Sequence, residues 1–181
     1  MSVTLYTGPM FSGKTSALIS HYVEGETVAF KHSTDLRYVS TEEIVSHDGL
    51  RIPATKLRWL PSVKDHIFDG KKAVLIDEGQ FFDHHPPDER SLNVACLLYA
   101  QAGLNVYVSA LNGTSEMGQW KTVSDLIPIC DEIHHLKAKL CMRCRKRAAP
   151  FTAVKRGELK SGQVLVGGSE TYEPVCRCCF F

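Results

Sequence analysis

The chain has 181 residues, of which 44% are apolar and 23% charged, with a formal net charge of +1. That is the balance of a globular protein with one full-sized domain, or one plus a small appendage. No stretch reaches the roughly 18 consecutive apolar residues of a membrane helix, and Met1-Ser2-Val3-Thr4 lacks the basic and apolar regions of a secretion signal, so the expectation is no membrane partner and a cytoplasmic location. Because 21 Lys and Arg nearly balance 20 Asp and Glu, no global positive field holds a nucleic-acid backbone, and any anion must be captured locally.

Val3-Thr4-Leu5-Tyr6 is a run of β-formers ending at Gly8, and after Lys14 the residues Ala17, Leu18, Ile19 and Tyr22 take up helical spacing. Val28-Ala29-Phe30 and Ala73-Val74-Leu75-Ile76 are continuous apolar runs of strand length, the pattern of strands buried on both faces of a parallel sheet. The polar, Pro-containing stretch Asp83 to Arg90 reads as a surface insertion. Val94 to Gln101 is a compact helix stopped by Gly103, and Val106 to Leu111 supplies another strand. Strands alternating with helices predict an α/β fold with a mainly parallel sheet. After about Ala138 the composition shifts to cysteine, basic residues and glycine, which divides the chain into an α/β domain over 1–138 and a smaller unit over 139–181.

Gly8-Pro9-Met10-Phe11-Ser12-Gly13-Lys14-Thr15 matches the phosphate-loop pattern G-x-x-x-x-G-K-[ST] at every fixed position. Glycines let backbone N–H groups converge on phosphate oxygens, Lys14 neutralises charge on the terminal phosphates, and the Thr15 hydroxyl suits Mg²⁺. The buried strand through Ile76 delivers Asp77 to the carboxyl edge of the sheet, where the phosphate loop also ends and a carboxylate can hold the hydration shell of the metal. Glu78 then reads in two ways: a solvated residue at a strand end, or the base that takes a proton from the attacking nucleophile.

Five of the seven cysteines lie in the last 41 residues, leaving Cys96 and Cys130 as isolated, small apolar side chains. Cys141-x-x-Cys144 and Cys176-x-x-Cys179, with 31 residues between them, form two knuckles that together complete a tetrahedral Zn²⁺ site with no open position, hence a structural one. Cys178 competes with Cys179 for the fourth place, although C-x-x-C suits a knuckle better than C-x-C. A redox dithiol needs only one such pair and a thioredoxin-like pattern, which is absent. Arg143, Arg145, Lys146 and Arg147 read as cations offsetting the thiolate charge rather than as a nucleic-acid patch, since no aromatics are interleaved for base stacking.

Together, Gly8 to Thr15, Lys31 to Tyr38, Ser46-His47-Asp48, Ile76-Asp77-Glu78-Gly79-Gln80-Phe81-Phe82, Ala110 to Thr114 and the two cysteine pairs resemble the cytosolic, zinc-containing type II thymidine kinases over nearly the whole chain. Gly167-Gly168 followed by Tyr172 and Cys176 belongs to the same pattern. The resemblance implies ATP and Mg²⁺ as phosphoryl donor system, thymidine as acceptor, structural zinc, and a homotetramer. It implies Glu78 as catalytic base and places Asp77, Gln80, Asp35 and Arg37 with the phosphate loop as nucleotide contacts. Met10, Phe81, Leu111, Thr152, Leu165 and Tyr172 are implied as nucleoside contacts, with Thr152 and Tyr172 on a closing loop between the knuckles. One stretch departs from the family: Asn112 stands where a carboxylate is usual, Ser115 where an aromatic is usual, and the basic pair before Gln119 is missing, with Trp120 as a substitute aromatic. The rival expectation is a catalytically silent relative kept as an assembly subunit.

Overall fold

The computed structural model describes residues 1–34, 42–82, 91–155, 168 and 170–181. Its framework is a six-stranded sheet built from β1 (Val3–Gly8), β2 (Thr27–His32), β5 (Thr55–Leu57), β6 (Ala73–Asp77), β7 (Asn105–Leu111) and β8 (Glu132–His135) in the order β5-β2-β6-β7-β1-β8. Every neighbouring pair is parallel. The expected α/β fold with a parallel sheet is therefore observed.

Strand residues alternate between two apolar layers, which is why the apolar runs are unbroken. Val74 and Ile76 face one layer with Val3, Leu5, Val106 and Val108, packed against α2 (Leu92–Gln101) and α3 (Lys121–Leu126). Ala73 and Leu75 face the other, against Leu18 and Ile19 of α1 (Lys14–Ile19) and Ile44 and Ile52 of the hairpin β3 (Glu43–Val45) and β4 (Arg51–Pro53). Buried aliphatic side chains of this kind contribute about 1.5–3 kcal/mol each relative to exposure.

The expected helix before Gly103 starts two residues earlier than its apolar pattern, at Leu92. Four elements of this region were silent in the sequence. β3, β4 and β5 are three residues each, too short for a pattern. β8 reads Glu-Ile-His-His and is exposed throughout, because it closes the edge of the sheet and borrows its hydrogen bonds from β1 rather than burying an apolar face. Beyond β8, the segment is held on both sides by backbone bonds, Leu136 N–H to the Thr7 carbonyl and Ala138 paired with Ala149. The antiparallel pair β9 (Phe151–Val154) and β10 (Tyr172–Val175) follows, and α4 (Arg177–Phe180) ends the chain.

Candidate active site and cysteine cluster

The phosphate-loop motif lies between β1 and α1, at the carboxyl edge of the sheet. Two of its positions require glycine. A Cβ on Gly8 would lie 2.5 Å from the Leu136 carbonyl oxygen, and Gly13 adopts φ +84°, the left-handed region that favours glycine. Phe11 (φ 62°) and Glu78 (φ 55°) hold left-handed conformations without being glycine, a local cost that surrounding structure must offset and that tends to cluster where chemistry is done. Lys14 is buried and its Nζ donates to the Pro9 carbonyl at 2.7 Å, while Ser12 Oγ donates to the same carbonyl at 2.9 Å.

β7 lies between β6 and β1, so it bridges the acidic residues and the loop. Its Ser109 hydroxyl donates to Asp77 Oδ1, which Thr15 Oγ1 also approaches at 3.3 Å. The hydroxyl and the carboxylate that suit Mg²⁺ are thus neighbours, and both are oxygen donors of the kind this ion takes. Glu78 follows Asp77 with its backbone turned into the left-handed region and its side chain on the wall of a cavity. Gln80 Nε2 donates to Glu78 Oε2 at 2.5 Å, and Gln80 Oε1 accepts from the Leu111 N–H at 3.0 Å. Gln80 is 0% exposed, both ends of its amide are engaged inside the protein, and it holds the Glu78 carboxylate.

The cavity holds about 730 Å³. Met10 to Ser16, Glu78 and Leu111 form one side, and Lys137 to Leu140, Met142 and Tyr172 another. Two hydrogen bonds tie the sides together. Met10 N–H donates to Thr152 Oγ1 at 2.9 Å, and Asn112 Nδ2 donates to the Pro150 carbonyl at 3.1 Å. The second contact gives Asn112 a use that a carboxylate could not serve, since it needs a donor. Thr152 and Tyr172 lie on the paired strands β9 and β10, not on a loop, because the alternating β-branched and aromatic residues there find an antiparallel partner. Phe81 stands outside the cavity wall, its ring 5.9 Å from Trp120 and 6.1 Å from His32. Burial, ahead of the nearby Arg58 charge, keeps the His32 imidazole below its usual pKa. Asp35, Arg37, Leu165, Gly167 and the Asp83 to Arg90 insertion lie outside the described residues.

Cys141, Cys144, Cys176 and Cys179 bring their sulfurs within 4.8 Å of one another, with Cys144 and Cys176 3.8 Å apart. A tetrahedral site with metal–sulfur bonds of about 2.3 Å has edges of about 3.8 Å, so the set fits zinc. Burial would raise the Cys141 thiol, but the backbone N–H groups of Cys144, Cys176 and Arg143 and the Cys144 thiol outweigh it and bring it to about 6. Hydrogen bonding with Cys176, then burial, pushes Cys179 up to about 12. Four thiols share protons around one centre that a cation can take over. Cys178 lies outside the set and its sulfur accepts from Arg147 Nη1 at 2.7 Å. Arg143 does something different from simple charge compensation. It donates to Glu173 Oε1 (2.7 Å), the Cys179 carbonyl (2.6 Å) and the Val154 carbonyl (3.2 Å), bracing both knuckles and both strands of the β9–β10 pair.

A parallel sheet with a glycine loop and an acidic strand end at one carboxyl edge is how α/β proteins present themselves to nucleotides. The family model described as thymidine kinase matches residues 1–180, and the chain belongs to that family. A thymidine kinase of Choristoneura fumiferana entomopoxvirus is 34% identical over 188 residues, covering 99% of this chain and 96% of the viral protein. A thymidine kinase of Mesomycoplasma hyopneumoniae (strain 7448) is 35% identical, covering 98% and 94%. The cytosolic thymidine kinase of Cricetulus griseus is 32% identical, covering 99% of this chain and 73% of its own.

Proposed function

We propose that this protein is an ATP-dependent thymidine kinase, transferring the γ-phosphoryl group of ATP to the 5′-hydroxyl of thymidine. The observation that carries the reading is the convergence of the glycine loop, the Thr15–Asp77 pair and the Gln80-held Glu78 on one edge of the sheet, beside a cavity roofed by Tyr172. Phosphoryl transfer asks little covalent chemistry of a protein, only aligned oxygens and compensating charge. Backbone N–H groups of residues 8–15 and the Lys14 ammonium receive the phosphates, and Lys14 exchanges its Pro9 carbonyl for a phosphate oxygen. Thr15 and Asp77 would hold Mg²⁺, which when bound offsets charge on the triphosphate. Glu78 takes the proton from the thymidine 5′-hydroxyl as its oxygen approaches phosphorus, and Gln80 keeps the carboxylate aimed.

Met10, Leu111, Thr152 and Tyr172 line or close the nucleoside side, with Phe81 and Trp120 as a second aromatic layer. In this reading Asp35, Arg37 and Leu165 complete the two substrate sites. The four-cysteine set binds structural zinc in a unit over 139–181 that is distinct from the α/β domain over 1–138, and zinc serves catalysis by fixing β9 and β10 rather than by touching substrate. The family likeness extends the reading to a homotetramer acting in the cytoplasm, which light scattering of the zinc-loaded protein checks. The decisive experiment is a phosphorylation assay on zinc-loaded protein with ATP-Mg²⁺ across a panel of nucleosides. Thymidine is expected to give the highest kcat/KM; nucleotide binding with no phosphorylated nucleoside would overturn the reading.

A further inference from the structure

We propose that Lys137 and Lys139 form a second cationic wall that binds the polyphosphate chain of the nucleotide held by the glycine loop. This rests on the kinase reading above and extends its donor site to residues outside every motif of the sequence.

Leu136 N–H is bonded to the Thr7 carbonyl at 2.7 Å, and Ala138 exchanges both of its backbone bonds with Ala149 at 3.0 and 2.9 Å. The segment is thus pinned from both edges in an extended form. In extended chain, side chains two apart share a face. Ala138 is buried in the cysteine-bearing cluster, and Lys137 and Lys139 both line the cavity that the glycine loop also lines. The Leu136 carbonyl also lies close against Gly8, so the same segment runs next to the start of that loop.

Charge supplies the second step. The carboxylates on the cavity wall are already engaged: Asp48 accepts from Ser16, Glu78 from Gln80, and Glu173 from Arg143. Among the described residues neither Lys137 nor Lys139 joins an ion pair. Two ammonium groups on one cavity wall repel each other, and the repulsion turns into a binding term when an anion with several charges enters between them and Lys14. A polyphosphate chain, with several charges along its length, has that chemistry, and a single phosphate offers fewer charges to three cations.

Calorimetry with inorganic tripolyphosphate, and separately with inorganic phosphate, tests this on the zinc-loaded protein and on Lys137→Gln/Lys139→Gln. The double variant is expected to bind tripolyphosphate on the order of tenfold more weakly, as loss of two partly exposed charge contacts implies. Its affinity for single phosphate should change little, its KM for ATP should rise by the factor seen with tripolyphosphate, and its KM for thymidine should stay put. Lys64→Gln, exposed and off the cavity wall, controls for general loss of charge and is expected to behave as wild type. Equal tripolyphosphate affinity in wild type and double variant overturns the proposal, as does an equal drop in Lys64→Gln. If the wild type phosphorylates no nucleoside, the kinase reading fails by itself, and the calorimetric comparison still decides the role of the two lysines.

Discussion

Phe30, Leu75, Ile76, Val106 and Val108 are wholly buried in the six-stranded sheet, whereas among the described residues the buried cluster of the C-terminal region consists of three alanines, one valine and two cysteines. The first region is held by apolar area. The second, among the described residues, buries smaller side chains, with Phe151 and Phe180 packed against them, and adds polar contacts: the four sulfurs, the three-way bond of Arg143, and the Thr152 and Asn112 contacts to the sheet. Small units of this kind need a staple, and metal binding then becomes folding free energy. The contrast is between a sheet edge that carries the glycine loop and Asp77 and a cysteine-bearing region that forms the facing wall of the same cavity.

The widest separation of the two regions comes from metal removal. Chelation of zinc, or Cys176→Ser, is expected to abolish thymidine phosphorylation while the circular dichroism of the sheet and its melting persist to higher temperature. Loss of activity and sheet melting in one transition would break the comparison. A smaller effect is expected from Arg143→Lys, which keeps the charge but can reproduce only one of the three directed bonds. With Arg143 and Glu173 19% and 15% exposed, about 1–3 kcal/mol of stability should be lost from the C-terminal region. KM for thymidine should rise several-fold while zinc content and KM for ATP hold. Equal changes in both KM values would assign Arg143 to general stability instead.

The smallest effect is one of pH, and it falls on the sheet. Burial lowers the pKa of His21, with the charge of His134 adding to it, and burial likewise lowers that of His32, both from 6.5. Unfolded imidazoles take up protons near that value while the folded ones resist, so stability is complete above about pH 6.5 and declines as pH falls below it. His21 stacks on Tyr107 at 3.9 Å and meets the Tyr6 hydroxyl at 2.6 Å. Melting of His21→Phe followed between pH 7.5 and 6 should show a flatter acid decline than wild type; an unchanged slope would remove His21 from that account.

What was legible in the sequence follows the same division. The central strands announced themselves because burial on both faces demands unbroken apolar runs, and Gly8 to Thr15 did so because close approach and left-handed backbone admit few residue types. β8 was not legible, since an edge strand has no apolar face to display. Nor was the service of Gln80 to Glu78, which needs the Leu111 N–H from 31 residues away to fix the other end of the amide, or the brace that Arg143 makes to Glu173 across 30 residues, because such contacts leave no periodic trace. Asn112 read only as a departure, and its bond to Pro150 required the fold. Lys137 and Lys139 were invisible as a pair until the backbone on either side was seen to be pinned.

The central claim is that Glu78, held by Gln80 at the end of the acidic strand, activates the nucleoside hydroxyl. Single-turnover transfer from labelled ATP to thymidine by zinc-loaded Glu78→Gln measures it most directly. The variant is expected to fold, to bind ATP as wild type does, and to transfer phosphate about 10²–10⁴-fold more slowly. Transfer at a near-normal rate would contradict it.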